Sequence, residues 1–113
     1  MRSEERIARG LDDLQGALGT AAVLIDRGRE AYDSDVAVSL AFEALSNRIG
    51  DLAKRLTAAD PERFSALIWR QAARQRDYVV HHYDRLDADL LWQTATQSFP
   101  ELAVVVRAEQ AKG

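Results

Sequence analysis

The feature that most constrains this chain is the spacing of its apolar residues. Ile7, Leu11, Leu14, Leu18, Ala22 and Ile25 step by three and four, which lays one apolar stripe along a helix. Ser3 stands where an N-cap belongs, and Glu4 and Glu5 suit the positive end of the helix dipole. A connection is expected over Gly28–Ser34. A second helix is expected from Asp35 to Leu56, with the stripe Val36, Leu40, Ala44, Leu45, Ile49, Leu52 and Leu56. Asp60-Pro61-Glu62 reads as the start of a third helix, since Asp caps and Pro fits the first turn. Its apolar side is Phe64, Leu67, Ile68 and Ala72. Asp87 is positioned to cap a further helix carrying Leu90, Leu91 and Ala95. Pro100 is expected to interrupt it, leaving a last short helix with Leu102, Val105 and Val106. The best strand candidate, Ala103–Val106, is too short and isolated to build a sheet. Gly10, Gly16 and Gly19 each weaken the first helix by up to about 1 kcal/mol relative to alanine, which suggests close helix packing in exchange. The expected fold is all-α: one antiparallel helical bundle, with residues 1–113 as a single domain.

Composition narrows the class. At 113 residues and 47% hydrophobic, the chain has material for one core. It has no cysteine, which excludes a disulfide scaffold, a thiolate zinc site and a cysteine nucleophile. No apolar run approaches the roughly 20 residues of a membrane span, and Arg2, Glu4, Glu5 and Arg6 do not resemble a secretory leader. The chain therefore reads as soluble and cytoplasmic. Its net charge of −3 and pI of about 5.3 do not suit a globally basic nucleic-acid binder. The charge is unevenly spread, however. Between Pro61 and Arg85 lie five arginines (63, 70, 74, 76 and 85) against three acids (62, 77 and 84), and both histidines lie there too.

That stretch is where chemistry can sit. His81 and His82 are adjacent, so on a helix they point about 100° apart and do not share a metal ion. No metal or other cofactor is expected, and the chain has no phosphate-binding glycine loop, nucleophile elbow or dinucleotide fingerprint. Arginine with histidine is nevertheless sufficient for metal-free cleavage of RNA. Histidine moves protons near neutral pH. Arginine grips a phosphate with two parallel hydrogen bonds and stabilises its developing charge. The RNA brings its own 2′-hydroxyl nucleophile. Spacing sets a condition. On one uninterrupted helix Arg76 and His81 stand about 140° apart, while Arg74, Asp77, His81 and Arg85 share a stripe. Either the helix breaks between Arg76 and His81, or Arg74 is the working arginine, or a second chain supplies the missing group.

The same residues carry a family resemblance. Arg76, four residues, His81, one residue and Tyr83 resemble the R-x4-H-x-Y signature of HepT-like toxins, small helical ribonucleases of the HEPN superfamily. Ile49-Gly50-Asp51-Leu52-Ala53-Lys54-Arg55-Leu56 is similar to the family's I-G-E-A-x-K-x-L helix, with Asp51 for Glu and Leu52 for Ala. Trp69-Arg70 resembles the W-R pair before the motif. Tyr83-Asp84-Arg85-Leu86-Asp87, with Leu91-Trp92 beyond it, resembles Y-x-x-V/I-D and a later V-W. The likeness runs in family order from Phe42 to Leu102.

The resemblance implies a HEPN-like homodimer in which two Arg/His motifs face a cleft at the two-fold axis. It implies metal-independent RNA cleavage by Arg76 and His81 and toxicity to the host cell. It also implies an antitoxin partner, a nucleotidyltransferase of the MntA type that AMPylates Tyr83 and blocks the cleft by bulk and charge. One position departs from the pattern: the residue after the motif arginine, often Asn in the family, is Asp77. Its carboxylate can orient His81 at i+4, or pair with Arg76 and repel a phosphate. The second reading is therefore a catalytically degenerate helical module that dimerises and binds a nucleotidyltransferase or nucleotide. Trp69 and Trp92 read as core or interface anchors, His82 as an ordinary histidine, and Arg70 and Arg85 as solvated or salt-bridged.

Overall fold

The computed structural model describes residues 3–82 and 87–112, the side chains of 78–82 excepted. Five helices follow in order: α1 (Ser3–Asp26), α2 (Arg29–Ser34), α3 (Val36–Ala59), α4 (Leu67–His82) and α5 (Ala88–Ala111). No strand occurs among the described residues, and Ala103–Val106 lies inside α5. The fold is the expected antiparallel bundle. Helix α3 is its axis, packed against α1, α2 and α4, and α5 closes the far side against α1 and α4. None of the described helices is long and apolar enough to cross a membrane.

The apolar stripes build one core. Leu14, Ile49, Ala53, Ala95 and Val106 are fully enclosed within it, and Trp69 and Phe64 meet edge-on at 4.9 Å between ring centres. A second aromatic group joins three elements: Tyr32 stacks on Trp92 at 5.3 Å and lies 5.1 Å from Phe42. Trp69 and Trp92 thus act as packing anchors, as their sequence context suggests.

Several expectations need correction. The connection over Gly28–Ser34 contains a helix, α2. Gly28, at φ 92°, ends α1, and Tyr32 is drawn into the aromatic group. The third helix starts at Leu67, not at Pro61. Asp60 accepts from the Arg63 amide (3.1 Å) and holds a separate turn, which Arg63 fastens to α5 through Glu109 (2.7 Å). Pro100 does not interrupt α5: a buried row of Leu91, Ala95, Phe99, Leu102 and Val106 runs past it, and its packing outweighs one missing backbone bond. On α3 the stripe is displaced in the first half. Val38 and Phe42 are buried, while Val36 and Leu40 are 71% and 58% exposed and Ala44 is also exposed. The aromatic group sets that rotation, because it requires Phe42 to face inward. Ala22 on α1, Leu67 and Leu90 are likewise exposed. Ser3 is itself the first helical residue of α1, and the N-caps of α3 and α5, Asp35 and Asp87, accept from the amides of Ala37 (2.9 Å) and Leu90 (3.1 Å).

The glycines divide sharply. A Cβ at Gly50 would lie 2.1 Å from the Cβ of Arg76 and 2.7 Å from the Ala72 carbonyl, so α3 and α4 meet there with no room for a side chain. Gly10 allows a softer approach, 3.0 Å from the end of Leu56. Gly16 and Gly19, expected to permit packing, face open space. Gly50→Ala should therefore destabilise the fold by about 2 kcal/mol, because backbone must move to admit the methyl group. Gly16→Ala should stabilise it by up to about 1 kcal/mol through helix propensity alone. Urea denaturation of the two variants checks both signs, and a neutral Gly50→Ala would refute the close α3–α4 seat.

Candidate active site

The α3–α4 junction determines how the sequence motif is presented. Helix α4 runs unbroken from Leu67 to His82, so the expected alternative of a helix break between Arg76 and His81 does not occur. The two positions remain about 140° apart around the axis. Arg74, Asp77 and His81 share a row, and Arg74 is exposed and forms no ion pair among the described residues. The His81 backbone lies in the last turn of α4. Tyr83, Asp84, Arg85 and Leu86 lie outside the described residues.

Arg76 is seated by its packing. Its Cβ occupies the space that the missing side chain of Gly50 leaves on α3, and its side chain is 28% exposed. At its head, Nη1 donates to Asp77 Oδ1 at 3.1 Å. The same oxygen accepts from Lys54 Nζ at 3.2 Å. The Arg76 Nε–H is buried without an acceptor. An anchored guanidinium with an unmet donor is ready to gain from another anionic oxygen.

Asp77 therefore joins two cations on two helices. Hydrogen bonds from Lys54 and then Arg76 hold its carboxyl below its ordinary range. Of the two pairings open to Asp77 in the sequence, the one with Arg76 is formed, and the one with His81 falls on a side chain outside those described. The cluster of Lys54, Arg76 and Asp77 keeps a formal charge of +1, and Arg74 and Arg70 stand exposed on the same helix. The cluster is thus cationic although the chain is acidic. Arg63 does not contribute to it, being bound to Glu109. Burial opposes the charge on Glu109, but its bonds to Lys112 and Arg63 keep its carboxyl below the ordinary range.

Lys54 was not singled out from the sequence. It stood inside the quoted I-G-D-L-A-K-R-L segment, but only the antiparallel seating of α3 on α4 carries it to Asp77, 23 residues away. No group of three histidine, aspartate or glutamate side chains that could hold a metal ion occurs among the described residues. The assembled parts are a held guanidinium and a nearby ammonium, which can bind a phosphodiester. The backbone of His81 lies five residues on in the same helix.

Comparison with known proteins extends this picture. The family model described as "Ribonuclease HepT-like" matches residues 14–109. The chain is 28% identical over 98 residues to a protein of Caldanaerobacter subterraneus subsp. tengcongensis named "Putative RNase TTE0752", a match covering 83% of this chain and 88% of the relative. It is 32% identical over 54 residues to the "Probable ribonuclease HepT" of Thermococcus cleftensis, covering 48% of this chain and 49% of the relative. No solved structure matches it.

The shared carboxylate gives a direct test. A folded-state pKa below the unfolded value of about 3.9 stabilises the protein above that value, and the contribution is lost as pH falls through the folded one. In a carboxyl-detected NMR titration, Asp77 should titrate below the ordinary aspartate range. Lys54→Met should raise its midpoint toward that range. No movement on that substitution would mean that Lys54 does not engage the carboxylate in solution.

Proposed function

Because the chain belongs to the HepT-like ribonuclease family, we propose that it is a metal-independent RNA endonuclease toxin whose site joins Arg76 of one chain to His81 of a second copy. The observation that carries this reading is the unbroken α4, which bears both motif residues within the family segment but on different sides of one helix. A two-fold partner resolves that mismatch, since each chain presents its arginine to the other's histidine. The exposed row of Val36, Leu40 and Ala44 supports a second copy, because unpartnered apolar surface favours association.

In the proposed reaction Arg76 holds the scissile phosphate, with Lys54 beside it. His81 transfers a proton between the 2′-hydroxyl, the phosphate and the departing oxygen. The 2′-oxygen attacks phosphorus, the bond to the 5′-oxygen breaks, and the products are a 2′,3′-cyclic phosphate and a 5′-hydroxyl. Asp77 is the phosphate's competitor for Arg76. It keeps the guanidinium oriented and must yield when a phosphate arrives. That bond is also the observation favouring the second reading, a degenerate module, in which Asp77 never yields.

The purified, unmodified protein should cleave cellular RNA in excess EDTA, and the folded Arg76→Ala and His81→Ala variants should not. Mixing the two inactive variants should restore about a quarter of the parent's sites, since half of randomly formed dimers then hold one intact pair. No recovery on mixing would refute a site shared between chains. If the parent is inactive and Asp77→Asn cleaves, the degenerate reading stands.

The inhibitory partner in this reading is a nucleotidyltransferase of the MntA type. The phenolic oxygen of Tyr83 attacks the α-phosphorus of ATP, AMP is transferred and pyrophosphate leaves. An added anion beside the arginines then excludes the RNA. Co-expression with an active partner should raise the intact mass by one AMP in the parent and not in Tyr83→Phe. An unmodified parent under those conditions would count against the assignment.

A further inference from the structure

A second cationic site lies on the opposite flank of α3. A groove of about 790 Å³ opens between α1 and the C-terminal half of α3. Arg6 and Arg9 line it from α1 and Arg55 from α3, with Leu52 and Leu56 on its floor and Asp13 as the only acid among the described lining residues. Gly10 brings α1 down onto Leu56 and so sets the depth of the groove.

The charge balance here runs against that of the whole chain. Three guanidiniums face one carboxylate in a protein of net charge −3. Arg6 and Arg9 are exposed, stand one helical turn apart and have no ion pair among the described residues. Arg55 has only an exposed i,i+4 contact with Asp51 at 2.9 Å. Such an exposed pair contributes little and is readily exchanged for a stronger anion. Three guanidiniums with one carboxylate among them favour a ligand with repeated negative charge. The apolar floor favours one that also has flat, weakly polar faces.

Continuity with the α3–α4 junction indicates which ligand. Arg55 follows Lys54 in sequence. Lys54 reaches Asp77 and hence Arg76 on one side of α3, and Arg55 lines the groove on the other. Lys54 and Arg55 are successive residues of α3, so one cation of each site projects from the same turn, about 100° apart. Arg6 and Arg9 precede the segment that the family model matches, so this half of the groove is a feature of this chain outside that match.

We propose that the α1–α3 groove is an exosite for single-stranded RNA, in which Arg6, Arg9 and Arg55 bind backbone phosphates that flank the cleavage point. Bases or sugars rest against the exposed Ala58 and Ala59, above the buried Leu52 and Leu56. The proposal rests on the ribonuclease reading, and it predicts that the enzyme uses a stretch of strand longer than the bond it cuts.

The test uses a fluorescent 12-nucleotide RNA with every 2′-oxygen methylated, which binds but lacks the nucleophile. Affinity is measured by anisotropy across a salt series for the parent, for Arg6→Gln/Arg9→Gln, and for the charge-matched Arg27→Gln/Arg107→Gln, whose positions are exposed and outside the groove. Thermal melting confirms that each variant folds. Losing two phosphate contacts should lower the salt slope by about 1.4 and the affinity about twenty-fold near 0.1 M salt. The charge-matched control should lose far less. Cleavage of a dinucleotide, too short to reach the groove, should be unchanged in both variants. Equal losses in the two double variants would overturn the exosite and leave only a general charge effect. A parent that cleaves and binds RNA with no loss in Arg6→Gln/Arg9→Gln would overturn the exosite and leave the ribonuclease reading intact. A parent that neither binds nor cleaves RNA would overturn both.

Discussion

Everything placed at the α3–α4 junction depends on one absent side chain. With hydrogen at Gly50, the backbone of α4 lies against α3 and the Arg76 Cβ fills the space. A methyl group there would meet the Ala72 carbonyl, which is backbone and does not yield by rotating. The contact therefore fixes the separation of two helices and the root of one guanidinium together. Lys54, one turn along α3, falls within reach of Asp77 as a consequence. A core of leucines and alanines could hold the same helices at a wider spacing, but Lys54, Asp77 and Arg76 would then no longer converge.

Convergence produces a charge arrangement that composition conceals. The acidic balance of the chain suggests a poor partner for a polyanion, yet cations are concentrated where the helices cross. Asp77 neutralises only part of that charge, and it uses one oxygen for both bonds. A carboxylate held between a lysine and an arginine is stable when no other anion is present. It also leaves both donors aligned for a competitor with more charge and more oxygens, which describes a phosphate. The buried, unmet Nε–H of Arg76 adds to that preference.

The sequence disclosed most of the fold because helical periodicity is a local property. The stripe of α1, the Asp87 cap and the long apolar register of α3 beyond Ile49 could all be read from neighbouring residues. What could not be read was set by distant partners. Phe42 faces inward because Tyr32 and Trp92 await it, which rotates Val36 and Leu40 outward against their own pattern. Pro100 sits within a helix because its neighbours Phe99 and Leu102 are buried. Among the glycines of α1, spacing gave no sign that only Gly10 touches anything. The candidate site divides the same way. Arg76, Asp77 and His81 were legible as an ordered motif on α4, and the Asp77–Arg76 pairing was among the alternatives it raised. Lys54 and the seating role of Gly50 required the register of two antiparallel helices.

The continuity of α4 changes what the motif spacing means. Five residues along a helix bring two side chains to nearly opposite sides, the least suitable arrangement for gripping one phosphate from a single chain. Motif pairs meant to act together on one helix stand three or four apart. Spacing of five becomes economical when two copies meet about a two-fold axis, because each helix then offers one group to either side of a shared cleft. In that arrangement a lone chain is chemically incomplete however well it folds. The anchoring of Arg76 by Gly50 then has a purpose beyond packing: a residue that must meet a histidine from another chain cannot rely on its own helix to correct its aim.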